Sequence, residues 1–337
     1  MKVQLSGGDD RNLMERLLEK QIPLANSCNG KGTCGKCKVK VVSGTITDVT
    51  DTERRLLTEK EVAGRMRLAC MTKARGEVVI ETGEGEEDHV FTTGGVEGHF
   101  ERDADKHGYG LAVDIGTTTV VATLVNMDDG TEGATYAQIN PQKTYGLDVL
   151  TRITYETEYK EKAITQLQEA IVHGLNEAIK GICAEAGIDV TQIGEIDIAA
   201  NCTMLHMLAG VDARPIGRAP YKPAFTDGQK LKARDLGLMG AADAMVYLLP
   251  SVSAYIGADI VAGVYVCDLR HSPGKTLFID IGTNGELVLE AGGKMYSCSC
   301  AAGPALEGMN ITSGMRAAKG AVEDVHIGPD GIRLDVI

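Results

Sequence analysis

The 337-residue chain is 43% hydrophobic and 24% charged, which excludes a disordered polyelectrolyte and leaves length for two or three domains, each with its own core. With 47 acidic against 34 basic side chains its formal net charge is -13, and this argues against a nucleic-acid binder, because phosphate backbones attract basic surfaces. Met1-Lys2-Val3-Gln4-Leu5 lacks the apolar run of a signal peptide and no stretch reaches the ~18 apolar residues of a spanning helix, so a cytoplasmic protein without membrane attachment is expected, its nine cysteines acting as ligands or core residues.

Residues 1–83 read as one module. Met1–Leu5 predicts a short strand, and Leu13, Met14, Leu17 and Leu18 fall on one face of a helix with Asp9 or Asp10 as its cap. Ser27-Cys28-Asn29-Gly30-Lys31-Gly32-Thr33-Cys34-Gly35-Lys36-Cys37 then sets three cysteines in a glycine-rich loop, completed by the distant Cys70. Thiolates are the ligands of iron-sulfur centres, and this C-x5-C-x2-C…C spacing is one residue longer than the plant-type pattern. Gly30, Gly32 and Gly35 let the backbone turn left-handed and bring N–H groups towards the sulfurs. Zinc also takes four cysteines, but usually as two close pairs, whereas Cys70 stands alone. Disulfides need an oxidising compartment. The loop resembles that of [2Fe-2S] ferredoxins of the α+β, β-grasp fold, nearer in its five-residue gap to the adrenodoxin-like branch.

Lys38–Val42 alternates as a strand. Thr50-x-x-Glu53 and Thr58-x-x-Glu61 are capping boxes for short helices carrying Leu56, Leu57, Val62 and Met66, and Glu77–Ile80 is a strand after Cys70. From Glu81 the composition shifts to Gly, Glu, Asp and Thr. An acidic linker is expected over 84–107, with Glu84, Glu86, Glu87 and Asp88 close together.

A second region, 108–272, opens with Leu111-Ala112-Val113-Asp114-Ile115-Gly116-Thr117-Thr118-Thr119: strand, glycine turn, strand. The design recurs at Ile279-Asp280-Ile281-Gly282-Thr283-Asn284-Gly285-Glu286, in a third region, 273–337. Two copies of Asp-Ile-Gly-Thr predict an internally duplicated α/β domain whose two turns face one another. Glycine turns offer backbone N–H donors, threonines add hydroxyls, and aspartates hold Mg2+, usually through water. Two plain β-hairpins are the competing reading, although tight hairpin turns more often use Asn-Gly. These turns resemble the phosphate motifs of the acetate kinase, sugar kinase, heat-shock protein and actin (ASKHA) superfamily, a ribonuclease H-like fold. That resemblance implies a nucleotide held by Asp114, Gly116, Thr117, Thr118, Asp280, Gly282 and Thr283.

Between the motifs, Ile164, Leu167, Ile171, Leu175, Ile179 and Ile182 mark a long amphipathic helix, ending at a core Cys183 and followed by a strand around Ile196 and Ile198. Asn201 and Thr203 are placed to reach a ligand, while Cys202 and His206 read as packing residues. Pro220–Pro223 reads as an extended turn. Pro250–Asp259 leads into a helix whose start faces the ligand, with Cys267 near its buried end. Cys298 and Cys300 form a C-x-C read as packing rather than metal-binding. Val325–Ile337 is a hairpin that stops inside its second strand, so the actin-like fold is expected to be incomplete at its C-terminus.

The order of these parts, with Ala301-Ala302-Gly303-Pro304-Ala305-Leu306-Glu307-Gly308, Gly314-Met315-Arg316-Ala317-Ala318, Asn140-Pro141-Gln142 and Tyr145-Gly146-Leu147-Asp148, resembles the ATP-dependent reductive activators of corrinoid proteins, a β-grasp ferredoxin domain followed by an actin-like (DUF4445) ATPase domain. The resemblance implies a [2Fe-2S] cluster on Cys28, Cys34, Cys37 and Cys70 that passes one electron to a Co(II) corrinoid protein of a methyltransferase system, with ATP and Mg2+ driving the step and an external low-potential donor refilling the cluster. A homodimer is left open. The competing class is an electron carrier or docking module on a degenerate actin-like scaffold; a small-molecule kinase would leave the cysteines unexplained.

Overall fold

The structure, a computed structural model, describes residues 1–20, 22, 24, 30–33, 35–82, 103, 105–282, 284–301, 320, 322–328 and 331–336. Cys28, Cys34, Thr283, most of 84–107 and the segment 302–319 therefore lie outside the described residues. The fold divides into two units, Met1–Glu87 with Gln142–Glu158, and Asp88–Pro141 with Tyr159–Ile337. No helix among the described residues is long and apolar enough to cross a membrane.

The first unit holds strand β1 (Lys2–Leu5), helix α1 (Leu13–Glu19), β2 (Lys38–Ile46), helices α2 (Asp51–Leu56) and α3 (Glu59–Ala63), β3 (Met66–Leu68), β4 (Ala74–Thr82) and most of α4 (Val149–Tyr159). Its sheet runs β1-β4-β2-β3, all antiparallel, with Val3 opposite Ile80 and Lys38 opposite Leu68. Leu13 and Leu17 of α1 share one core with Val39, Leu68 and Ile80, all fully buried. This is a ferredoxin β-grasp. The cap of α1 is Asn12, not Asp9 or Asp10: Asn12 Oδ1 accepts from Glu15 N at 2.9 Å and Glu15 Oε2 accepts from Asn12 N at 2.7 Å. Asp9 is instead paired with Arg11 and Arg16. Thr50 and Thr58 close both expected capping boxes. Met66, expected on a helix, opens β3, because α3 stops at Gly64 and Arg65 turns the chain at φ 60°. Glu81, read as linker, pairs with Lys2 inside β4.

The second unit is built on a six-stranded sheet of β5 (Tyr109–Ile115), β6 (Thr119–Asn126), β7 (Thr131–Ile139), β8 (Ile193–Ala200), β9 (Gln229–Lys232) and β10 (Met245–Leu248). The order is β7-β6-β5-β8-β10-β9, with β5, β8 and β10 parallel and the others antiparallel to their neighbours. That is the sheet of an actin-like domain. Helix α5 (Glu161–Ala186) makes the crossover from β7 to β8. It buries Leu167, Ile171, Leu175, Ile179 and Ile182, about 2 kcal/mol of gross burial each, and ends at Gly187 in a left-handed cap, φ 66°. Helices α6 (Cys202–Ala209), α7 (Ala233–Leu236) and α8 (Ala258–Val266) follow. A separate sheet holds β11 (Thr276–Ile281), β12 (Gly285–Ala291) and β13 (Lys294–Cys300), and β14 (Val322–Gly328) pairs with β15 (Gly331–Val336) as the expected last hairpin. Three cysteines depart from expectation. Cys267, Cys298 and Cys300 are exposed: Tyr265 and Val266 are open at the end of α8, and Leu277, Ile279 and Tyr296 are open on the β11–β13 sheet.

One buried ion pair fixes the geometry of the first unit. Glu53, 0% exposed on α2, accepts from Arg67 Nη2 at 2.8 Å and Nε at 2.9 Å, from Leu68 N at 3.0 Å and from Thr72 Oγ1 at 3.1 Å. Burial alone would push this carboxyl up, but Arg67 and the Thr50 and Leu68 N–H groups outweigh it and hold it at about 2. A depressed carboxyl stabilises the folded state above its ordinary pKa of 4.5 and loses that contribution as the pH falls towards 2. Glu53→Gln leaves Arg67 buried without its counter-charge, so amide-exchange protection in β2–β4 drops by about 3 kcal/mol at pH 7. The wild-type advantage over this variant shrinks as the pH falls from about 5 to 2; an unchanged gap would contradict the assignment.

Candidate functional site

The cysteine site is assembled from two strand ends. Cys37 directly precedes β2 and Cys70 follows β3; Lys38–Leu68 pairing brings them side by side, and their sulfurs stand 3.3 Å apart, both buried. This separation is too long for a disulfide bond between them. Gly30, Gly32 and Gly35 sit at φ 78°, 69° and 67°, so the described part of the loop needs the left-handed backbone expected of it. A Cβ at Gly30 would stand 2.8 Å from Met14 Cε, and one at Gly32 2.9 Å from the Met71 sulfur, so the loop is packed as well as turned. A buried thiol at the end of a left-handed glycine loop, beside a second buried thiol brought from a distant strand end, fits a cluster held by thiolates.

The first Asp-Ile-Gly-Thr turn joins β5 to β6. Leu111, Val113 and Ile115 point into the core, so strand alternation sends Asp114 to the opposite face. Two asparagines hold the turn. Asn140 Nδ2 donates to Gly116 O at 2.8 Å and Asn140 N to Thr118 O at 2.8 Å, while Asn201 Nδ2 donates to Thr117 Oγ1 at 3.1 Å. Asn201 also caps α6, its Oδ1 accepting from Met204 N at 3.0 Å. Thr203 does not line this site; it is buried in α6 with Cys202 and His206. His206 stacks on Phe225 at 4.2 Å, and its Nε2 accepts from Ala224 N, so it packs as expected.

The second turn joins β11 to β12. Gly282 N donates to Asn284 O at 2.9 Å, and the hairpin register sets Asp280 directly opposite Glu286. Like charges facing each other across a ladder are unfavourable, and here they are not alone. Asp259 lies in the first turn of α8, which reaches this place because Gly257 has no side chain: a Cβ there would meet Asn201 Cα at 2.5 Å. Loss of hydration, with the charges of Asp259 and Asp280, pushes the Asp114 carboxyl up to about 6. Asp259 is raised by burial and by Asp280; Asp280 by burial; Glu286 by burial and by both aspartates, offset in part by the Ser299 hydroxyl at 3.0 Å. Residues of both turns are therefore electrostatically linked: the charges of Asp280 and Asp259 disfavour ionisation of Asp114 and Glu286, and Asp280 also acts on Asp259.

Asp259 and Glu286 were not singled out as site residues in the sequence. Glu286 is found by counting back from Asp280 across the Gly282–Gly285 turn, and Asp259 by its position behind a glycine at a helix start. Among the described residues, the set of three ligand-type side chains within 4.8 Å of one another is Asp324, His326 and Asp335, on the last hairpin. No three of Asp114, Asp259, Asp280 and Glu286 lie that close together.

Comparison with known proteins follows the same division. Residues 1–75 match the 2Fe-2S iron-sulfur cluster binding domain, residues 109–272 the RACo middle region, and residues 274–337 the C-terminal domain of RACo, the ASKHA domain. The corrinoid activation enzyme RamQ of Eubacterium limosum is 35% identical over 233 residues, 69% of this chain and 39% of that protein. The Co(II) methylated amine-specific corrinoid protein reductase of Methanosarcina barkeri is 26% identical over 232 residues, 66% of this chain and 41% of that protein. The solved structure of a reductive activator for a corrinoid, iron-sulfur protein superposes with a TM-score of 0.63 at 29% identity, covering 98% of this chain and 67% of that one. The matched region thus spans about two fifths of the two curated relatives. With a 2Fe-2S domain followed by both RACo regions, the chain belongs to the RACo family.

Proposed function

We propose that this chain is the iron-sulfur and nucleotide-gripping part of a reductive activator that returns Co(II) corrinoid proteins to Co(I) at the expense of ATP. The observation that carries the reading is the presence, in one chain, of the buried Cys37–Cys70 sulfur pair and of two Asp-Ile-Gly-Thr turns whose carboxylates act on one another. Cys28, Cys34, Cys37 and Cys70 hold a [2Fe-2S] cluster, which supplies a one-electron relay when bound. Asp114, Gly116, Thr117, Thr118, Asp280, Gly282 and Thr283 hold the triphosphate and its Mg2+, with Asp259 and Glu286 in the same carboxylate set. The thiolates require a reducing compartment, the cytoplasm.

The need for ATP follows from magnitudes. Each ~59 mV of uphill transfer of one electron costs about 1.4 kcal/mol, and Co(I) is a stronger reductant than a [2Fe-2S] centre. Nucleotide binding offsets that cost if it changes the affinity of the activator for one state of its partner. An external low-potential donor then refills the cluster.

Two outcomes are expected. With the methylated-amine-specific corrinoid protein as trial partner and dithionite-reduced activator, ATP accelerates formation of the Co(I) absorption band, and Asp280→Ala lowers the ATP-stimulated rate about 100-fold; equal rates with and without ATP would favour a plain electron carrier. The second concerns Asp114, whose folded pKa of about 6 lies above its ordinary 3.8. Its charged form is disfavoured on folding, so it costs stability progressively as the pH rises from about 4 to 6 and fully above. Asp114→Asn therefore raises the thermal midpoint at pH 7, on the order of 2 °C, by an amount that shrinks towards pH 4, and it abolishes binding of Mg-ATP. A midpoint shift independent of pH would count against the shared acidic site.

A further inference from the structure

Asn140 is fully buried at the end of β7 and holds both ends of the first phosphate turn, through Gly116 O and Thr118 O. Two residues on, Gln142 begins the stretch Gln142–Glu158 that groups with the cysteine-bearing unit. Gln142 is itself fully buried, and its Oε1 accepts from Arg152 Nη1 at 3.2 Å. Arg152, also 0% exposed, donates from Nε to Gly146 O at 2.9 Å. Burial pushes its guanidinium down to about 9 against the charge of Asp148, and the bonds to Gln142 and Gly146 tie the segment together. Between the two buried amides stands Pro141, whose ring fixes φ.

We infer that Asn140 is a positioning residue that passes occupancy of the first phosphate turn by a nucleoside triphosphate to the segment Gln142–Glu158. The inference rests on the nucleotide reading above. A triphosphate drawn onto the N–H groups of the turn reorients its peptide units, and with them the Gly116 and Thr118 carbonyls on which Asn140 is held. A buried amide cannot follow by degrees: it keeps both bonds and moves with the turn, or leaves a polar group unsatisfied at a cost of about 1–3 kcal/mol. Moving Asn140 moves Pro141 and Gln142 by covalent connection. Linkage then requires the converse, so whatever orders Gln142–Glu158 also alters affinity at the turn. Asn201 touches the same turn through Thr117, but its chain continues into α6, so it serves as a control.

Amide hydrogen exchange of the full chain, with and without saturating Mg-ATP or its β,γ-imido analogue, tests this directly. In the wild type, exchange over 142–158 slows about fivefold or more on nucleotide addition. Asn201→Asp weakens binding yet keeps that response at saturation. Asn140→Asp, of the same shape but without the side-chain donor, also weakens binding, whereas Pro141→Gly leaves the clamp and loosens the link; in both, at saturating nucleotide, the response over 142–158 falls below about twofold. The inference is overturned if the wild-type turn 114–119 gains protection while 142–158 does not, or if either variant responds like the wild type. If the wild-type chain binds no nucleotide at all, the nucleotide reading fails instead, and the two failures are told apart by protection at 114–119.

Discussion

The cysteine site depends on a carboxylate that never touches it. Glu53 gathers Arg67, Leu68 and Thr72 around one buried charge, and those residues flank Cys70 on both sides. With that segment pinned, the β2–β3 register carries Cys37 to within 3.3 Å of Cys70. The arrangement separates two requirements that conflict in a redox site. A loop that is to wrap a cluster must turn left-handed at several glycines, at a cost in conformational entropy, while a distant ligand must arrive from a rigid position. Capped helices, a buried ion pair and a short strand supply the rigidity.

The second unit uses charge in the opposite sense. In the first, a buried carboxylate is satisfied and held low; in the second, Asp114, Asp259, Asp280 and Glu286 are all raised by burial, and the charges of Asp259 and Asp280 push Asp114 and Glu286 further up. Acidic character continues along the same face, where Asp197, opposite Ala112, is pushed up to about 6 by lost hydration and Glu195. Such a set is unfavourable as it stands, and carboxylates perturbed in this way concentrate at functional sites. The hairpin register and the absence of a side chain at Gly257 enforce it.

Much of this was legible in the sequence wherever the signal was local. The capping boxes at Thr50 and Thr58, the positive-φ glycines of the cysteine loop, the apolar stripe of α5 and both Asp-Ile-Gly-Thr hairpins are statements about residues a few positions apart, and the structure agrees with each. What escaped was decided at long range. Asp9 lost the α1 cap to Asn12 because two arginines claimed it. Thr203 follows a promising strand end yet turns into the core. Asn140-Pro141-Gln142 reads only as a family-like segment, and the hold of Asn140 on the turn at Gly116 emerges when β6 and β7 pair. The exposed Cys267, Cys298 and Cys300 show the converse error, since an apolar neighbourhood in sequence does not establish that a face is covered.

In the proposed function one chain offers a place for an electron and a place for a triphosphate, and the redox half is the part without which the rest has no purpose. Metal analysis and electron paramagnetic resonance of the chain purified without oxygen decide it. The account requires about two irons per chain and, after reduction, the spectrum of a [2Fe-2S] centre that disappears in Cys37→Ser or Cys70→Ser. A colourless protein carrying stoichiometric zinc, silent after reduction, would contradict it.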